Sequence, residues 1–118
     1  MSQLVTFNSL VGYELEKHRI SQGVDQAELA RACGMSQPVL SRLERGKAAI
    51  SIDQLFVICR ALGVDPDLLV AEARRSVNAI DHEESVEVKT TKEVGTGAAL
   101  LTGAAVGAVL AILLSKKK

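Results

Sequence analysis

The chain has 118 residues, with 14 basic and 14 acidic side chains, two cysteines, two prolines, nine glycines and no tryptophan. At roughly 100–200 residues per domain, this length holds one small domain with appendages and excludes two full cores. Apolar residues make up 47 % of the chain and aromatic residues only 3 %, an aliphatic, alanine-rich composition that suits short packed helices and argues against a β-sandwich. The zero net charge excludes a uniformly basic tail-type nucleic-acid binder and leaves local patches open.

Charge divides the chain into three parts. Residues 1–76 carry nine basic and nine acidic groups and read as a balanced globular domain. Residues 77–93 carry five acidic groups (Asp81, Glu83, Glu84, Glu87, Glu93) against Lys89 and Lys92 and read as an acidic connector. Residues 94–115 carry no charge, and Lys116 to Lys118 follow. The start of the chain has neither a basic n-region nor a long apolar h-region, so no secretory signal is expected.

Within 1–76, start and stop signals predict five helices and no convincing strand, an all-α domain. Asn8 or Ser9 caps the first helix, with Val11 and Leu15 inward and Gly23 after its end. Asp25 caps the second, with Glu28 at capping-box spacing and Gly34 as its stop. Ser36 caps the third, which ends at Gly46. Ser51 with Gln54 opens the fourth, ended by Gly63, and Asp65-Pro66 opens the fifth. Leu29, Val39, Leu40, Leu43, Leu55, Ile58, Leu62 and Leu68 fall where helical periodicity turns them to one core. Ala73, Val77 and Ile80 prolong an apolar stripe that either packs on a twin in a dimer or frays. Residues 85–90 alternate like a strand but are too brief and polar to stand alone, so 81–93 reads as a flexible spacer.

Gly34-Met35-Ser36 alone separates the second and third helices, which is helix-turn-helix spacing. Gln37, Ser41, Arg42 and Arg45 fall on the outward face of the third helix. Arg31, Arg42, Arg45 and Lys47 against Glu44 make this the basic locality of a neutral domain. Gln and Arg read adenine and guanine edges bidentately, and Ser reaches phosphates. Ser36, at the start of that helix, belongs to the same candidate DNA-binding set.

Gln26-Ala27-Glu28-Leu29-Ala30, Gly34-Met35-Ser36-Gln37, Ser41-Arg42-Leu43-Glu44-Arg45-Gly46 and Leu55 through Val64 resemble the phage-repressor-like (Cro-type, xenobiotic-response-element) helix-turn-helix family over about residues 9–72. The resemblance implies a five-helix domain that binds double-stranded operator DNA, usually as a two-fold homodimer. It implies a phosphate contact for Gln26 and for Lys47, and base-edge or adjacent backbone contacts for Gln37, Ser41 and Arg42. It also implies an ion pair of Arg19 with Glu44 that joins the first helix to the third and orients the reading head. Pro38 departs from the pattern, disfavouring helical geometry at Gln37 and removing one N–H donor.

No nucleophile–base pair, phosphate loop or carboxylate dyad suggests an enzyme, and no cofactor is expected. Cys33 and Cys59 read as reduced core cysteines, and His18 and His82 as lacking ligand-spaced partners, so no metal is expected. The segment 94–115 would span roughly 33 Å as a helix, the length of one bilayer crossing. Gly95, Ala99, Gly103, Gly107, Ala111 and Ser115 recur every fourth residue as a small-residue packing face. The expectation is a cytoplasmic DNA-binding regulator, in a bacterial or phage-type context, tethered to the membrane by this apolar helix. Two alternatives stand beside it: a structural protein that anchors DNA at a membrane or in an assembly, and a soluble repressor or antitoxin-like component whose tail self-associates.

Overall fold

The structure, a computed structural model, describes residues 3–80 and 86–90. In chain order its elements are β1 (Gln3–Thr6), α1 (Phe7–Ser21), α2 (Gln26–Ala32), α3 (Gln37–Glu44), α4 (Ile52–Leu62), α5 (Pro66–Ile80) and β2 (Val86–Lys89). The five helices follow the punctuation of the sequence. Ser36 Oγ accepts from Val39 N at 3.3 Å to start α3. Ser51 and Gln54 exchange both bonds of a capping box at the head of α4. Asp25 does cap α2, but its carboxylate takes the N–H of Ala27 rather than that of Glu28, so the expected capping box does not form there.

The start of α1 differs from expectation. Its N-cap is Thr6, whose Oγ1 accepts from Ser9 N at 3.0 Å, and not Asn8 or Ser9. Asn8 instead lies within the helix and accepts from Ile50 N at 2.9 Å, tying α1 to the loop before α4. Chain preceding α1 is extended, so the helix starts two or three residues earlier than the polar pair suggests.

The core gathers Leu10 and Leu15 of α1, Leu29 of α2, Leu40 and Leu43 of α3, Ile58 and Leu62 of α4, and Leu69 of α5. Val39 and Leu55 pack at its margin as partly buried residues. Leu68 does not join it. Its side chain is 48 % exposed while Leu69 is fully buried, because each residue advances a helix face by about 100° and Pro66 sets the phase of α5. Ala73 and Ile80 are buried and Val77 is partly buried, so the α5 stripe is consumed by the chain's own core, chiefly against α1. Neither a frayed end nor an open dimer seam describes it.

The second difference is a pair of strands. β1 and β2 form a parallel two-stranded sheet in register Gln3↔Val86 to Thr6↔Lys89. The domain is therefore helical with a small ladder rather than all-α, and residues 86–89 are strand within what reads as a spacer. A ladder this short is marginal by itself. Val5, fully buried, and Val88, partly buried, pack on the helical core and supply what the strand lacks alone. A parallel pair needs a long crossover, and the five helices are that crossover.

Among the described residues no helix is long and apolar enough to cross a membrane. The small-residue face from Gly95 to Ser115 lies outside the described residues.

Candidate nucleic-acid interface

The reading unit is built by the corner between α2 and α3. Gly34 takes φ +69°, a left-handed conformation that costs other residues strain, and Met35 N returns to Ala30 O at 3.0 Å. Met35 packs on the core as the chain turns. Leu40 and Leu43 then fix one face of α3 to the core, which leaves Gln37, Arg42 and Arg45 exposed on the other. Ser41 is half-buried beside them, and Ser36 is exposed at the cap. Lys47 is exposed just past the helix, its N–H bonded to Arg42 O at 2.9 Å in the left-handed turn made by Gly46. The structure thus brings Ser36, Gln37, Ser41, Arg42, Arg45 and Lys47 onto one helix and its two ends. Pro38 falls in the first turn, and Gln37 is nevertheless the first helical residue.

Behind this surface is a buried polar network. Glu44 has no exposed side-chain surface and lies on α3 among core leucines. Arg19 of α1 grips it bidentately, with Nε donating to Oε2 at 2.8 Å and Nη2 to Oε1 at 3.1 Å. A third guanidinium nitrogen, Nη1, donates to Val24 O at 2.9 Å, fixing the loop before α2. Hydrogen bonding to Glu44 is the main cause that raises the Arg19 pKa above its ordinary value, against the opposing effect of burial.

Gln26 completes the network at the start of α2. Its Nε2 donates to Glu44 Oε1 at 2.9 Å, and its Oε1 accepts from Gln37 Nε2 at 3.3 Å. The half-buried side chain expected at a phosphate therefore also bridges α2 to α3. A continuous path runs from Arg19 through Glu44 and Gln26 to Gln37, so that three helices hold the first residue of the outward face.

Gly12 is a further positioning residue, overlooked in the sequence. A Cβ there would lie 2.6 Å from the carbonyl oxygen of Glu44 and would also meet that of Leu43. The absent side chain lets α1 and the end of α3 touch backbone to backbone. A glycine inside an otherwise apolar helical pattern was the available signal.

The helix-turn-helix family model matches residues 15–69. Control protein C.BamHI of Bacillus amyloliquefaciens is 37 % identical over 62 residues, covering 51 % of this chain and 76 % of that protein. The chain belongs to the Cro/C1-type helix-turn-helix family. A crystal structure of the clp gene regulator ClgR from Corynebacterium glutamicum superposes with a TM-score of 0.63 at 33 % identity, covering 66 % of this chain and 83 % of that one. Antitoxin PezA of Streptococcus pneumoniae is 28 % identical over 86 residues, 73 % of this chain, and the match spans only 54 % of that protein. Helix-turn-helix regulators of this type bind double-stranded DNA and are commonly dimeric.

Proposed function

We propose that this protein is a sequence-specific DNA-binding transcriptional regulator that acts as a two-fold dimer. The observation that carries the reading is the exposed polar and basic face of α3, held rigidly by the buried Arg19–Glu44–Gln26 network. In this reading α3 lies in the major groove. Gln37, Ser41 and Arg42 reach base edges or the adjacent backbone, while Ser36, Arg45 and Lys47 meet phosphates. Gln26, held by Glu44 and Gln37 at the start of α2, also meets a phosphate.

The test is a comparison of variants on the selected operator and on random DNA over a salt series. Arg42→Ala costs about 1–3 kcal/mol on the operator and relaxes one base position, whereas Lys47→Ala weakens all sequences alike and lowers the salt slope by about one. Equal losses for Arg42→Ala on both DNAs would reduce it to a phosphate contact. A dimer follows from size, since one small neutral module buries too little surface for tight specific binding. Footprints should then be inverted repeats with half-sites about one helical turn apart.

A second reading adds a membrane tether, for which the support is the uncharged run 94–115 and its small-residue spacing. Cell fractionation with and without residues 94–118 separates it from a DNA-anchoring assembly or a self-associating tail. Leu110→Arg moves a tethered protein to the soluble pool. Gly107→Ile lowers the oligomeric state where the small-residue face packs helices together.

A further inference from the structure

On α1 and α5, a second group of ionisable side chains comes together that DNA recognition does not use. Glu14 and His18 stand four apart on α1 and so share one face of that helix. Glu72 of α5 meets them, and one donor atom from each of the three lies within 4.8 Å of the other two. His18 Nε2 is 3.2 Å from Glu72 Oε2 and 3.4 Å from Oε1. The sequence reading that left His18 without a ligand-spaced partner missed Glu14 at the i−4 position, and no spacing rule points to Glu72.

Glu14 supplies the independent observation. It is only 3 % exposed, and among the described residues its buried Oε2 accepts no aligned hydrogen bond. The Lys17 ammonium lies 2.7 Å from that oxygen but off hydrogen-bond alignment, and 3.8 Å from Glu72 Oε2, at the end of a half-exposed stem. Glu14 lines a cleft of about 270 Å³ together with Lys17, Glu72, Arg75 and Ser76.

We propose that Glu14, His18 and Glu72 bind a divalent transition-metal ion of the zinc type. Three protein ligands plus water is a common open zinc arrangement, and an imidazole with two carboxylates suits zinc or cobalt better than magnesium or calcium. Ligands about 2.0–2.2 Å from a tetrahedral zinc stand roughly 3.3–3.5 Å from one another, close to the present imidazole–carboxylate separation. Lys17, long and half-exposed, swings outward when the ion enters. The bound metal then joins α1 to α5, on the helix that also presents Arg19 to Glu44.

The full chain titrated with Zn²⁺ alone, by calorimetry, should bind one ion per chain and raise Tm with the logarithm of the metal excess. Co²⁺ should give a visible absorption spectrum free of thiolate charge-transfer bands. His18→Asn and Glu72→Gln should each weaken binding by at least about tenfold, while circular dichroism and metal-free Tm show whether the fold is retained. Lys17→Met, which removes the competing cation, should tighten it, and His82→Gln should leave it unchanged. No stoichiometric heat with Zn²⁺ would overturn the proposal. So would binding that survives His18→Asn and Glu72→Gln but is lost on Cys33→Ser, which would assign the ion to a thiol.

Discussion

At the residue scale, the pair that matters most is the one with least solvent. Glu44 is fully buried and Arg19 12 % exposed, so this is not a screened surface bridge worth a fraction of a kcal/mol. Removing one partner strands the other. Arg19→Ala should lower unfolding stability by about 3–5 kcal/mol, because among the described residues a buried carboxylate then keeps only the Gln26 amide. Urea denaturation measures this, and Glu44→Gln, which keeps an acceptor for the guanidinium, should cost clearly less. Equal losses would mean that packing, not charge, dominates the site.

The cysteines offer a separate check. Burial pushes the Cys59 thiol up to about 11, and it raises the Cys33 thiol as well, with Arg60 opposing. Raised values mean less thiolate at a given pH, so at pH 8 Cys59 is ionised in only about one molecule in a thousand. Cys59 is fully buried while Cys33 is half-exposed. A disulfide reagent should therefore label one thiol per folded chain slowly, and the second only in denaturant. Rapid labelling of both would contradict the packing of α4.

Between elements, the sequence was legible where local chemistry decides and silent where tertiary contact decides. Ser36, Ser51 and Gly34 announce their caps and corner because each satisfies backbone groups within a few residues. Arg19 and Glu44 could be paired only through the family resemblance, since 25 residues separate them and no local rule links them. The bond of Gln26 to Glu44, the exposure of Leu68 and the meeting of Glu72 with His18 depend on helix phase and on which helix lies alongside. Gly12 belongs to the same class, and it carries a prediction. Alanine there gains about 1 kcal/mol of helix propensity but forces a methyl group onto the carbonyls of Leu43 and Glu44, which as backbone cannot rotate away. Overpacking of this kind costs about 1–3 kcal/mol. Gly12→Ala should thus be destabilising overall in thermal unfolding and should weaken DNA binding by shifting the end of α3. A stabilised variant with unchanged affinity would show that α1 and α3 have room to part.

For the whole molecule, charge and hydropathy place a domain boundary near residue 76, whereas the packed unit continues through Ile80 and takes up β2. The acidic, alternating composition of 85–90 hid the strand because its partner lies at the other end of the domain. A chain cut after residue 76 loses the buried side chains of Ala79 and Ile80 together with the Val5–Val88 pairing. Burying one Ile side chain is worth about 1.5–3 kcal/mol, and Val5 would be left uncovered on the other strand. Fragment 1–90 should therefore unfold at a clearly higher urea concentration than 1–76, by about 2 kcal/mol or more in stability, with DNA affinity lost in 1–76 only as far as it is unfolded. Val88→Asp in fragment 1–90 should remove much of that advantage, since a charge cannot take the valine's place against the core. If 1–76 and 1–90 unfold together and Val88→Asp is silent, the ladder contributes nothing and the helices alone hold the reading head in place.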